Sequence, residues 1–251
     1  MKATILGSGT LVPQADRGTP GLVVEAAGEK LLFDSGSGTL YRAAQAAYHW
    51  RGFSRLFSTH FHPDHTLDLV SLLFAGNHAP GAGGQKLTVY GPRGLGDFVD
   101  SLCSARPALT PKNYDLRLEE LSHGTVVAGE LGWEVTAAKV SHGEAEALAY
   151  RVSEGSRSLV YSGDTEYCKS LVELCRGANL LICECSCPVG WEVQGHLNPA
   201  GVARLARESG VSRVLITHVY PPTDPEELAD FCQQECGLPV AAARDLETYG
   251  V

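Results

Sequence analysis

One stretch limits what this chain can become more than any other: Ser58-Thr59-His60-Phe61-His62-Pro63-Asp64-His65. Three histidines and an aspartate fall within its last six residues. Residues 55–58 before it read as a strand. Residues 64–74 after it read as a helix with apolar positions at Leu67, Val70, Leu73 and Phe74. His60 and His62 are two apart, so in extended backbone they project the same way. Pro63 breaks the strand, and the turn carries Asp64 and His65 back toward the same point. Imidazoles and a carboxylate gathered in this manner suit Zn²⁺, with Mn²⁺ and Fe next.

One cluster cannot close two coordination spheres, so more ligands are expected downstream. Three residues have the right surroundings, each following an apolar strand and preceding a turn. They are His142 in Val140-Ser141-His142-Gly143, Asp164 in Ser162-Gly163-Asp164-Thr165, and His218 in Thr217-His218-Val219-Tyr220. Each alone is a weak signal; in this order after the cluster they are a strong one.

The rest of the chain reads as alternating strands and helices without repeat or low-complexity tract. Strands are expected at 3–6, 22–26, 30–33, 87–90, 133–140, 147–152, 158–161, 180–183 and 211–217. Helices are expected at 40–50, 94–103, 165–176, 198–209 and 224–235, with Asn198-Pro199 as a cap and first-turn pair. That order suggests sheets covered by helices, an α/β layer architecture in one domain spanning 1–251. Hydrophobic residues at 44% and charged residues at 20% exclude a disordered or fibrous chain. With 20 Lys+Arg against 29 Asp+Glu, the net charge is −9, which argues against a nucleic-acid binder that works by bulk positive charge. No apolar run of ~18 residues predicts a membrane span, and no signal-peptide pattern opens the chain, so the expected location is the cytoplasm.

These motifs resemble the metallo-β-lactamase superfamily of metal-dependent hydrolases. The likeness runs from Leu6-Gly7-Ser8-Gly9-Thr10 to Thr217-His218 and includes Leu32-Phe33-Asp34-Ser35-Gly36, Tyr90-Gly91-Pro92 and Ser162-Gly163-Asp164-Thr165. Within the superfamily the chain looks most like the ribonuclease Z and phosphodiesterase branch. The resemblance implies a four-layer αββα sandwich with a dinuclear centre at the sheet edge. It implies that His60, His62 and His142 hold the first ion, that Asp64, His65 and His218 hold the second, and that Asp164 bridges both. It also matches Glu184 to a family glutamate, and His196 in Gly195-His196-Leu197 to a histidine that assists the leaving group. Members of the branch often form homodimers, which the resemblance carries over. Those that trim tRNA insert a long basic arm between the strand after the His142-type ligand and the Gly-Asp-Thr ligand. Here residues 150–161 are a plain hairpin without room for such an arm, so tRNA is not the expected substrate.

The expected function is therefore a phosphodiesterase acting on a small-molecule or nucleotide diester, with two divalent ions, zinc first. Ions about 3.5–4 Å apart can share a hydroxide and lower the pKa of water toward 7. Asp64 would ligate the second ion and aim the hydroxide, His196 would protonate the leaving alkoxide, and Glu184 would orient His196 or hold it protonated. A carboxylic ester or lactone hydrolase on the same centre is the alternative within enzymes, since the scaffold alone does not set the substrate. An iron-binding redox or sensing module without hydrolysis is the alternative outside that class.

The eight cysteines are too few for a disulfide framework, and Cys183, Cys185 and Cys187 read as buried reduced thiols. His49, His78 and His123 lack ligand surroundings and read as surface or packing residues. The segments Ala47-Tyr48-His49-Trp50 and Ser71-Leu72-Leu73-Phe74-Ala75 read as core packing on a helix face. The loop 77–85 follows the cluster helix and reads as either a border of the site or a plain surface loop.

Overall fold

Several strands bury both faces, which is why they read as unbroken apolar runs rather than as alternation. In the strand Glu29–Phe33, Leu31 and Phe33 point into one cluster while Leu32 joins another. In the strand Leu180–Glu184, Leu180 and Ile182 enter the first of these clusters, and Leu181 and Cys183 enter a third. Three parallel cores of this kind require four layers. The computed structural model, which describes residues 1–81 and 83–251, has them.

The first sheet contains β1 (Lys2–Gly7), β2 (Gly21–Ala26), β3 (Glu29–Phe33), β4 (Arg55–Phe57), β5 (Lys86–Gly91) and β6 (Asp115–Glu120). The second contains β7 (Val126–Ala128), β8 (Trp133–His142), β9 (Ala145–Glu154), β10 (Arg157–Tyr161), β11 (Leu180–Glu184), β12 (Val214–Thr217) and β13 (Val240–Ala242). The last strand, β14 (Thr248–Gly250), returns to the first sheet, whose order is β14-β1-β2-β3-β4-β5-β6; the second is ordered β13-β12-β11-β10-β9-β8-β7. Helices α1 (Thr39–Gln45), α2 (Pro63–His78) and α3 (Leu95–Ala105) cover the first sheet. Helices α4 (Lys169–Cys175), α5 (Pro199–Ser209) and α6 (Pro225–Cys236) cover the second. Between the sheets, Phe33, Phe57 and Tyr150 form an aromatic core with centroids 5.0 to 5.7 Å apart.

The αββα sandwich is thus present, with particular boundaries moved. The helix expected at 40–50 stops at Gln45 because Ala47 turns left-handed and the Tyr48 amide donates back to the Ala43 carbonyl, a helix-ending turn. The helix expected at 165–176 starts only at Lys169, since Thr165 and Glu166 bind across to Glu184 and Ser141. The strand expected at 211–217 is confined to Val214–Thr217. On α2 the buried face is His65, Leu69, Leu72, Leu73 and Gly76, whereas Leu67 and Phe74 are about half exposed. His65 fixes that rotation by pointing into the site, which turns Leu67 outward. The loop 77–85 leaves the far end of this 16-residue helix, roughly 20 Å along the axis from the cluster, so it does not border the site; its Ala82 lies outside the described residues. His49, His78 and His123 are exposed, and Cys183, Cys185 and Cys187 are buried free thiols. Among the described residues no helix is long and apolar enough to cross a membrane.

Candidate metal centre

Strand direction decides where the polar side chains gather. β3, β4 and β5 run parallel, as do β10, β11 and β12, while β8 runs with β10 because both are antiparallel to β9. The carboxyl ends of β4, β8, β10, β11 and β12 meet at one edge, the usual place for a site in such sheets. Each candidate leaves one of those ends: His60 to His65 follow β4, His142 closes β8, Asp164 follows β10, Glu184 closes β11 and His218 follows β12.

The donor atoms converge. His60, His62 and His142 form one group whose nitrogens lie within 4.8 Å of one another, and Asp64, His65 and His218 form a second. Asp164 stands between them. Its carboxylate is 3.9 Å from His60 Nε2 and from His142 Nε2, 3.4 Å from His65 Nε2 and 3.5 Å from His218 Nε2. Gly163, at φ +56°, permits that approach, since a Cβ there would sit 2.6 Å from Thr59. His218 is itself left-handed at φ 55°, a conformation held by its amide donating 2.9 Å to the Ser8 carbonyl.

The second nitrogen of four histidines is already engaged, which fixes the first. His65 Nδ1 lies 2.8 Å from Asp34 Oδ2, an acceptor, so its Nδ1 carries the proton and its Nε2 faces the centre. His142 Nδ1 donates 2.6 Å to the Gly195 carbonyl. Thr59 Oγ1 donates to Asp34 and faces His60 Nδ1 at 3.0 Å. Ser186 Oγ sits 3.0 Å from His218 Nδ1. Left over are the Nε2 atoms of His60 and His65, fully buried without a hydrogen-bond partner. An orphaned buried nitrogen is costly unless something binds it. A nitrogen- and carboxylate-rich pocket with such orphans fits divalent metal ions of the zinc type.

The electrostatics agree. Burial and neighbouring imidazoles hold His60 well below the ordinary histidine range, keeping its lone pair free. Burial works against the charges of Asp64 and Asp164, but the surrounding histidines outweigh it and hold both carboxyls low. His65, although buried, is pushed well above its ordinary value by Asp164 and Asp34, so the pocket's field attracts a cation.

At the rim, His196 Nδ1 lies 3.1 Å from Glu184 Oε2. Glu184 is buried and also accepts from the Thr165 amide and the Ser186 hydroxyl. Burial disfavours the charged ring, but Glu184 and then Asp164 raise its pKa to about 9. Asp34 had no assigned role in the sequence, yet it accepts from the Thr59 amide at 2.8 Å and from Tyr161 Oη at 2.9 Å besides holding His65. It sits after an apolar strand and before Ser35-Gly36, the same surroundings that single out Asp164. Glu166 is a second such residue, accepting from the Gly195 amide at 2.6 Å.

Comparison with known proteins follows the same lines. Residues 29–219 match the beta-lactamase superfamily domain. Ribonuclease Z of Methanothermobacter thermautotrophicus is 28% identical, with 87% of this chain and 86% of that protein covered. The metallo-beta-lactamase fold protein YhfI from Bacillus subtilis superposes with a TM-score of 0.87 at 24% identity, over 99% of this chain and 98% of that one. The short form of human tRNase Z superposes with a TM-score of 0.81 at 23% identity, over 100% and 99% of the two chains.

Proposed function

The chain belongs to the beta-lactamase superfamily, on its ribonuclease Z-like branch, and from that premise we propose that it is a dinuclear-metal phosphodiesterase. The observation that carries the reading is the pair of three-donor groups flanking Asp164, with the His196–Glu184 pair beside them. In this reading His60, His62 and His142 hold one ion, Asp64, His65 and His218 hold the other, and Asp164 serves both. Zinc suits the donor set first, then manganese or iron. Bound there, the ions supply Lewis acidity toward the phosphoryl oxygens and a water of lowered pKa.

The chain's own groups do the rest. Asp64, held ionised by His218 and His65, accepts a hydrogen bond from the attacking water and orients it. His196 gives its proton to the leaving oxygen from Nε2, because Nδ1 is held by Glu184. Glu184 keeps the ring oriented and charged. The hairpin of β9 and β10, paired from Tyr150–Tyr161 back to Arg157–Glu154, supports a substrate other than tRNA, since no arm interrupts it. The net charge of −9 supports the same conclusion.

Metal counting joined to a turnover screen tests the proposal. Purified without chelator, the protein should carry about two zinc or manganese ions and prefer bis(nitrophenyl) phosphate over a nitrophenyl ester or a lactone. Two ions with only ester or lactone turnover would transfer the reading to a carboxylic ester hydrolase and remove His196 from its role. Iron without hydrolysis would replace both with the redox reading.

A further inference from the structure

A cavity of about 720 Å³ opens beside His196, and its walls differ sharply from the metal centre. Trp191, Val193 and Tyr220 line it, together with three prolines, and Asp224 and Glu227 are its carboxylates. No lysine or arginine is among the described residues that line it. Trp191 is 64% exposed, although an indole is ordinarily among the more covered side chains. Its backbone is anchored: its amide donates 3.1 Å to the Pro188 carbonyl, and its own carbonyl accepts from Asn198 Nδ2 at 3.0 Å. Tyr220 stands with its ring 6.2 Å from that of His196. An uncovered aromatic face on an anchored backbone, in the same cavity as a proton donor, is a platform for a flat group.

We propose that this cavity is the leaving-group subsite. It takes an alcohol that carries a flat aromatic group, uncharged or bearing amine donors, of which a nucleoside is the fitting case, and it rejects a continuing polynucleotide. The direction rests on the phosphodiesterase reading: the atom that receives His196's proton belongs to the leaving alcohol, and of the two cavities that His196 lines this one carries Tyr220, with its ring 6.2 Å from that of His196, and the uncovered Trp191. The selectivity rests on the walls themselves. A further phosphate on the leaving alcohol would face Asp224 and Glu227 without a cation to balance it, whereas an exocyclic amine would find acceptors there. The enzyme would thus act on short diesters with one nucleoside-like leaving side.

Two measurements on the metal-loaded protein test this. Equilibrium dialysis with adenosine, which is neutral and carries no phosphate for the metal centre, reads the subsite directly. Trp191→Ala should weaken adenosine roughly tenfold and Trp191→Phe should restore most of the loss. Second, adenylyladenosine should be cleaved with a kcat/KM about tenfold above that of the same compound bearing one more phosphate on its leaving nucleoside, and Glu227→Lys should erase most of that ratio. Absent adenosine binding, or binding untouched in Trp191→Ala, overturns the subsite whatever the diester assays give. Equal cleavage of the two dinucleotides overturns its charge selectivity. Adenosine binding that depends on Trp191, in a protein that cuts no diester in any metal form, overturns the phosphodiesterase reading and with it the leaving-group assignment, and leaves the cavity as a nucleoside-binding site.

Discussion

The floor and the rim of the site are built by different means. The floor hangs from side chains buried between the sheets: Asp34, fully buried, gathers His65, Thr59 and Tyr161, and through Thr59 it reaches His60. The rim hangs from one loop between β11 and α5, where Val189, Trp191 and Val193 stand out in solvent while His196 turns inward. A metal centre needs donors fixed within a few tenths of an ångström, and buried hydrogen bonds to charged groups supply that rigidity. A substrate subsite needs shape and access, which a surface loop on a rigid scaffold supplies. One consequence is that damage to the floor should cost both fold and metal, whereas damage to the rim should cost mainly turnover and leave the metal in place.

Asp34→Ala is the largest test of that contrast. It strips the acceptor from four buried donors at once, so unfolding should become easier by at least ~3 kcal/mol, read by denaturant titration. The variant should also lose metal, because His65 is no longer held with Nε2 facing the centre. Full metal content at unchanged stability would mean that the floor is held by packing rather than by Asp34.

Asp34 also shows what the sequence carried and what it hid. His60, His62, Asp64, His65, His142, Asp164 and His218 were legible because each breaks an apolar run at a strand end, and the structure brings all seven to one edge. Asp34 breaks its run in the same way but was passed over, since a carboxylate that only supports a histidine has no donor partner nearby in sequence. Most strands were visible for their two-sided apolar character. The strand β6, Asp-Leu-Arg-Leu-Glu-Glu, was not: it is an edge strand whose charged residues face solvent, so nothing in its pattern outweighs a loop. The rotation of α2 was misjudged for a related reason. Periodicity admits more than one face, and His65, a polar residue, decides which face is buried.

At the rim, His196→Ala should keep its metal content and lose about 10²- to 10⁴-fold in kcat on a diester with a poor leaving group. A nitrophenolate leaving group, which needs no proton, should suffer far less. The pH profile sharpens the point. With its pKa raised from 6.5 to about 9, His196 is protonated at neutral pH, and kcat should fall as pH rises through about 9. The same shift contributes stability that is whole below 6.5 and gone above about 9. Glu184→Gln removes the larger of the two charges that raise this pKa, so the alkaline limb should move down toward the ordinary histidine value. An alkaline limb unchanged in Glu184→Gln would assign that limb to some other group.

The smallest effect is expected where floor and rim touch. One residue joins them: the Gly195 carbonyl accepts from His142 Nδ1 at 2.6 Å, and the Gly195 amide donates to Glu166 at the same length. Glu166 is anchored in turn through its own amide, 2.7 Å from the Ser141 carbonyl beside His142. Its hydrogen bonds run to the Gly195 amide and to Ser141, so the effect expected of it is on the placement of the neighbouring His196. Glu166→Ala should leave metal content intact, lower stability by only ~1 kcal/mol, and reduce kcat on poor leaving groups about tenfold with KM little changed. Glu166→Gln retains an acceptor for the Gly195 amide and should recover most of that rate. Loss of metal in Glu166→Ala would instead show that His142 depends on the loop for its orientation, and that floor and rim are one mechanical unit.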